Sequence, residues 1–275
     1  MDAVTSADEF VTDTGRRVRH PKARAVDKLF RGNEHLPVHV SKIAVSSMFR
    51  HSTLRHGPVD KRLFLTGNHA HNVIIVTSGS VREDYADGKV RLWGEGAVLG
   101  YRQEWSDDLS IPPSVGISLT SGTAVLSLAF DVLRGLMHQH SDLALGVMRL
   151  IAAHHQATED LYGVCKHSPA SRVARLLLYL SQAPLAEGPV IRNRSREDGK
   201  TVVRPIPGGI VEGPTQADIA DALGLARATV EKIIAAFRAD GVLWKPSPGE
   251  RRRNRVYEIQ DRAMLAEVAG RRLWP

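Results

Sequence analysis

The sequence predicts an α+β fold in three parts: an N-terminal β-roll, one long helix and a C-terminal winged helix-turn-helix. Three observations predict it. Residues 40–128 alternate short apolar runs with turn signals, the mark of many closely spaced strands. Apolar positions from Leu143 to Val164 then step by 4, 3, 4, 3, 4 and 3, which places them on one helix face. Residues 215–243 read as helix, glycine, helix, with a basic strand pair after them.

Taken in order, residues 1–35 are polar and basic, with Arg16-Arg17-Val18-Arg19-His20-Pro21-Lys22, and read for the most part as a mobile arm, with folding against the roll or DNA as the alternative. Residues 36–130 form the roll. Its strand candidates are Leu63-Phe64-Leu65, Val73-Ile74-Ile75-Val76, Val90-Arg91-Leu92-Trp93, Val115-Gly116-Ile117 and Ala124-Val125-Leu126-Ser127-Leu128. Gly67-Asn68, Ser78-Gly79, Asp87-Gly88, Gly94-Glu95-Gly96 and Ser121-Gly122 punctuate them. Residues 131–167 form the dimerisation helix, and Leu143, Val147, Leu150, His154, Ala157, Leu161 and Val164 are its heptad seam. A seam of this length wants a partner helix; the alternative is a helix lying on its own barrel.

Residues 168–275 form the last domain. A helix starts after Pro169, with Val173, Leu176, Leu177 and Leu180 inward. Val190-Ile191-Arg192 and Thr201-Val202-Val203-Arg204 pair as a hairpin around Glu197-Asp198-Gly199, and residues 260–273 close the chain with a short helix.

Thr215 caps the first helix of the motif, and Asp218 completes an acidic capping box. Ile219, Ala220 and Leu223 share its buried face. Gly224 permits the left-handed backbone that ends this helix and turns the chain. The second helix buries Val230, Ile233, Ile234 and Phe237 and offers Arg227, Ala228, Glu231, Lys232 and Arg238. Such a unit fits the DNA major groove. Val242-Leu243-Trp244 and Val256-Tyr257-Glu258-Ile259 then frame a turn-forming stretch in which Arg251, Arg252, Arg253 and Arg255 fill four of five positions. A basic hairpin here is a wing suited to phosphate. Thr215 and Gln216 complete the DNA-facing set.

Charge agrees with this division. Residues 1–167 hold 19 Lys+Arg against 18 Asp+Glu, a net +1, while residues 168–275 hold 18 against 12, a net +6. The basic excess sits with the motif, as polyanion binding requires. A single cysteine, Cys165, excludes an internal disulfide and any four-cysteine metal or iron–sulfur site. No apolar run spans a bilayer and no apolar leader opens the chain, so a soluble, cytoplasmic protein without a membrane partner is expected.

The order of roll, long helix and winged helix-turn-helix resembles the Crp–Fnr family of bacterial transcription regulators, from about Leu63 to Leu265. The stretches that carry the resemblance are Lys61–Val81, Ser171-Arg172-Val173-Ala174-Arg175-Leu176-Leu177 and the helix-turn-helix. The resemblance implies a β-roll like that of cyclic-nucleotide-binding domains, a homodimer, double-stranded DNA as partner and RNA polymerase as a candidate partner. Family base-reading positions fall on Arg227, Ala228 and Lys232. Arginine can grip guanine O6 and N7, whereas Ala228 stands where many members carry a glutamate that reads cytosine. Thr229 falls at a phosphate contact, and Ala226 is a poor cap.

The family's phosphate cassette maps onto Gly100, Tyr101, Pro113 and Ser114. Tyr101 replaces the ribose-binding glutamate, and Pro113 replaces the phosphate-binding arginine. Proline has neither charge nor donor, so cyclic AMP and cyclic GMP are not expected to bind in the usual way. Arg91 and Arg102 are candidate substitute charges, and Thr158 retains half of the adenine-contacting pair. No cofactor is assigned.

All 12 histidines lie at or before His167. His69-x-His71, His138-x-His140 and His154-His155 leave open a metal- or haem-sensing regulator. A β-roll metal enzyme is the weaker alternative, because the first glutamate after His71 is Glu83 and the strands beyond it lack histidine. No phosphate loop, nucleophile elbow or dinucleotide fingerprint occurs, so neither a catalytic nor a metal-binding residue set is assigned.

Overall fold

The computed structural model describes residues 40–66, 71–101, 112–163, 167–181, 209–245 and 255–270, with the backbone of short strands at 9–11, 17–19, 190–197 and 200–206. The calls on His69, Arg102, Val164, Cys165, Arg251, Arg252 and Arg253 fall outside these residues. Two strands lie in the arm, β1 (Glu9–Val11) and β2 (Arg17–Arg19), paired antiparallel.

A helix, α1 (Lys42–His51), precedes the roll. The roll consists of β3 (Thr53–Gly57), β4 (Arg62–Thr66), β5 (Asn72–Ser78), β6 (Val81–Tyr85), β7 (Val90–Trp93), β8 (Val98–Leu99), β9 (Ser114–Ser118) and β10 (Thr123–Ala129). They form two four-stranded sheets, ordered β3-β10-β5-β8 and β4-β9-β6-β7. All five predicted apolar runs are strands; β3, β6, β8 and α1 were not foreseen.

Strand β5 shows why an unbroken apolar run is needed. Val73 and Ile75 pack into a core shared with helices, while Ile74 and Val76 face the roll interior beside Trp93. Successive side chains alternate between faces, so a strand covered on both sides reads as continuously apolar.

The helical stretch is not one rod. It divides into α2 (Phe130–Gln139) and α3 (Ser141–Tyr162) at His140, whose extended backbone (φ −132, ψ 94) ends one helix and begins the next. In an unbroken helix, polar His140 would follow Leu133 and Leu136 onto the apolar stripe. Asp142 in the first turn of α3 accepts from the Ser41 N–H at 2.6 Å, which ties α1 to α3. This bond lowers the Asp142 pKa against the opposing effect of burial.

The C-terminal part holds α4 (Pro169–Leu180), the hairpin β11 (Val190–Glu197) and β12 (Lys200–Ile206), β13 (Ile210–Glu212), α5 (Gln216–Leu223), α6 (Arg227–Ala239), β14 (Val256–Glu258) and α7 (Arg262–Val268). Its core unites Val173, Leu177, Ile219, Leu223, Val230, Ile234 and Tyr257 with Leu92 and Leu119 of the roll. The expected hairpin is present, with Arg192 opposite Arg204. Among the described residues no helix is long and apolar enough to cross a membrane.

Candidate nucleic-acid interface

The helix-turn-helix is built from local chemistry. The Thr215 hydroxyl accepts from the Asp218 N–H at 3.1 Å, and the Asp218 carboxylate accepts from the Thr215 N–H at 2.7 Å. This satisfies two donors at the start of α5. Gly224 closes the helix in the left-handed region (φ 59, ψ 40). Arg172 on α4 donates to the Leu223 carbonyl, and Arg175 donates to the Ala269 carbonyl at 2.8 Å. Two arginines of one helix thus serve the C-terminal carbonyls of two others, where cations are favoured.

Helix α6 then emerges with two unlike faces. Val230, Ile234 and Phe237 are buried, whereas Arg227, Ala228, Glu231 and Lys232 are exposed. Ala226 gives no side-chain cap, as expected. Thr215, Gln216 and Thr229 are half-buried around the N-terminal ends of α5 and α6. Arg238 departs from its predicted place on the open face and is half-buried.

The wing differs from a simple two-stranded hairpin. Strand β14 pairs with β13, with Val211 opposite Tyr257. On the other side the predicted strand 242–244 contributes one bridge, Leu243 to Ile259. The Arg255 guanidinium bonds both oxygens of Asp60, in the β3–β4 turn, at 3.2 Å. Asp60 holds a positive φ of 63.

Further contacts seat this domain on the sheet β4-β9-β6-β7. Arg82 on β6 reaches Asp84 at 2.7 Å, Asp218 at 2.6 Å and Asp221 at 3.6 Å. Burial works against its charge, but the bonds to Asp84 and Asp218 hold its pKa above the usual arginine value. The Ser80 hydroxyl donates to the Glu212 carbonyl at 3.3 Å. At Gly213 a side chain would come within 2.8 Å of Leu119 and Thr120.

The roll interior is occupied by its own side chains. Glu83, 3% exposed, accepts from Trp93 Nε1 at 2.6 Å, the Tyr85 hydroxyl at 2.8 Å and the Ser114 hydroxyl at 2.6 Å. Three donors offset the desolvation of this carboxylate. Trp93 is fully buried and lies 4.3 Å from the His154 ring. Period-2 alternation from Val81 would have put Glu83 on the inward face, a signal the motif-led reading missed.

The residues of the expected effector pocket separate. Ser114 joins the Glu83 network, Tyr101 packs in the helix-facing core, and Pro113 is exposed. The Thr158 hydroxyl donates to the His154 carbonyl of its own helix at 2.8 Å. Gly100 (φ 79) is irreplaceable on steric grounds: a Cβ would sit 2.4 Å from the Asn72 carbonyl oxygen. Arg91 lies over the rings of Tyr85, Trp93 and Tyr162 at 5.3, 6.0 and 5.5 Å. Cation–π contact of this kind accounts for its half-buried charge.

Two tyrosines bind the open edge of β7. The Tyr162 hydroxyl accepts from the Leu92 N–H at 2.8 Å and donates to the Leu92 carbonyl at 2.9 Å. The Tyr179 hydroxyl accepts from the Gly94 N–H at 3.4 Å. Burial pushes both phenols above the usual tyrosine range, so they remain neutral.

The expected dimer seam needs correction. Leu143, Val147, Leu150, His154 and Leu161 are buried within their own chain, and Ala157 is half-buried. Leu143, Val147 and Leu150 share a core with Val40, Met48, Tyr101 and Leu126. Heptad spacing identified one face of the helix, but the roll covers that face. Leu145 and Met148, on another face, are 49% and 61% exposed.

Residues 171–268 match the family model of the Crp-like helix-turn-helix domain. No curated protein matches the chain in sequence. Among solved structures, a CRP-family transcriptional regulator from Thermus thermophilus is 20% identical, covering 80% of this chain and 98% of its own, with a TM-score of 0.53. FixK2 from Bradyrhizobium japonicum is 18% identical over 79% of this chain and 96% of its own, with a TM-score of 0.51. A CooA variant from Carboxydothermus hydrogenoformans is 17% identical over 83% and 90%, also at 0.51. At these identities the likeness is one of fold. The chain carries a Crp-like helix-turn-helix domain on the fold of the Crp/Fnr family of transcription regulators.

Proposed function

We propose that the chain is a homodimeric, sequence-specific DNA-binding regulator of transcription that works without cyclic AMP or cyclic GMP. The observation that carries this reading is the split character of α6, apolar and buried on one side, with Arg227, Glu231 and Lys232 exposed on the other. A helix so held can enter the major groove. Arg227, Ala228, Glu231 and Lys232 take the base-facing positions. Thr215, Gln216 and Thr229, with Arg255 and the wing arginines Arg251, Arg252 and Arg253, take the phosphate-facing ones.

Self-association is supported by the outer face of α3. Leu145, Met148, Ala152 and His155 are all exposed and follow a 3-4-3 spacing. A stripe at that spacing, apolar at Leu145, Met148 and Ala152, suits a second copy of the same helix. The dimer seam is therefore reassigned to this stripe.

Independence from cyclic nucleotides is supported by Glu83 and Trp93. A cyclic phosphate beside Ser114 would meet the Glu83 carboxylate already bonded there at 2.6 Å. Like charges in a dry interior repel strongly, and Trp93 leaves its buried site only by breaking the Nε1 bond to the same group.

Selection of bound duplexes from a random pool tests the reading. Enrichment of a near-palindromic site is expected, with discrimination relaxed at one base pair of each half-site on Arg227→Ala. Retention of all sequences equally would refute it.

A further inference from the structure

The open face of α6 carries an internal ion pair. Arg227 Nε donates to Glu231 Oε1 at 2.8 Å, one helical turn along. Both side chains are solvent-exposed. Ala228, also exposed, puts nothing longer than a methyl group next to Arg227.

The geometry has a chemical consequence. A guanidinium is a planar fork of five N–H donors. When the carboxylate takes Nε–H from the side, the two terminal amino groups remain free to meet a base end-on. Guanine offers O6 and N7 as a matching pair of acceptors. An unrestrained arginine samples many rotamers, and ordering it on binding costs entropy.

A carboxylate on this face also has a disadvantage. It repels the phosphates of every duplex alike. A glutamate here is useful to a DNA reader only through what it holds or what it reads.

We propose that Glu231 is a positioning residue for base recognition: it fixes Arg227 so that the terminal amino groups address guanine. The proposal rests on the reading of Arg227 as a base contact. It assigns sequence discrimination to a pair of residues, one of them acidic.

The test uses the full chain and the duplex recovered by selection, with every base pair of one half-site substituted in turn. Dissociation constants are measured for the native protein, Glu231→Ala, Glu231→Gln, Arg227→Ala and the double variant. Alanine is a strong helix former, so α6 is retained. Glu231→Ala is expected to bind random duplex more tightly, yet to lose about ten-fold discrimination at one base pair. Arg227→Ala is expected to lose discrimination at that same pair, and adding Glu231→Ala to it removes nothing further. Glu231→Gln, whose amide oxygen still accepts from Nε, is expected to recover part of the loss.

Unchanged discrimination in Glu231→Ala would make Glu231 a plain surface charge and overturn the proposal. A loss at a neighbouring base pair untouched by Arg227→Ala would overturn it too, showing that Glu231 reads cytosine directly. A flat Arg227→Ala profile would remove the underlying reading first, and the proposal with it.

Discussion

Arg82 of the roll and Asp218 of the first motif helix are joined at 2.6 Å across the boundary between the two halves of the chain. The same carboxylate that caps α5 therefore also docks it. Asp218 is buried, and Arg82 is mostly covered. Helix α5 is held against the sheet while α6 keeps its outer face open.

Arg82→Ala is expected to uncouple the two halves. It leaves Asp218 and Asp221 without their shared cation, at a cost of about 1–3 kcal/mol. Calorimetry should resolve two unfolding transitions, with the C-terminal one moved to lower temperature. A single transition at the native midpoint would show that the ion pair carries no coupling.

The proposed phosphate contact of Arg255 sets Asp60 in competition with DNA. The pair lies 3.2 Å apart in the free protein, and a phosphate contact requires it to open. Asp60→Asn should raise affinity for all duplexes about two- to five-fold, since exposed pairs contribute up to about 1 kcal/mol. Asparagine tolerates the positive φ. Arg255→Ala should abolish that gain and reduce the salt slope by about one. An equal gain in both backgrounds would assign it to net charge alone.

Trp93→Ala should cost about 3–5 kcal/mol, because it empties a packed interior and removes one donor from Glu83. Calorimetric titration of the native protein with cyclic AMP should register no binding. Micromolar affinity would contradict the role given to Glu83 and Trp93.

Asp142 makes stability depend on acid. Its folded pKa lies below the unfolded value, principally through the Ser41 N–H. Its contribution is complete above the unfolded pKa of about 3.9. It disappears as pH falls through the lower folded value. Urea unfolding from pH 2 to 5 should show this loss in the native protein and a shallower pH dependence in Asp142→Asn. Identical slopes would place the acid sensitivity elsewhere.

The parts legible in sequence are those governed by local chemistry. Thr215, Asp218 and Gly224 marked the ends of α5 because capping and left-handed turns demand particular residues. Apolar runs between glycines marked five strands for the same reason. Helix α1 escaped because β-branched residues such as Ile43 and Val45 favour strands, although Ala44, Val45 and Met48 share its buried side. Spacing assigned Leu143, Val147 and Leu150 to one face but carried no information on what covers it. Contacts such as Arg82–Asp218 join residues 136 positions apart, a distance no local pattern spans.

The most direct test of the central claim is a hydroxyl-radical footprint on the selected duplex, with stoichiometry from sedimentation. Two protomers per duplex are expected, protecting two patches about 34 Å apart, one turn of B-form DNA. Exchanging both Leu145 and Met148 for glutamate should reduce these to weak, single-patch protection. One native protomer on one patch, or no ordered protection, would contradict the account.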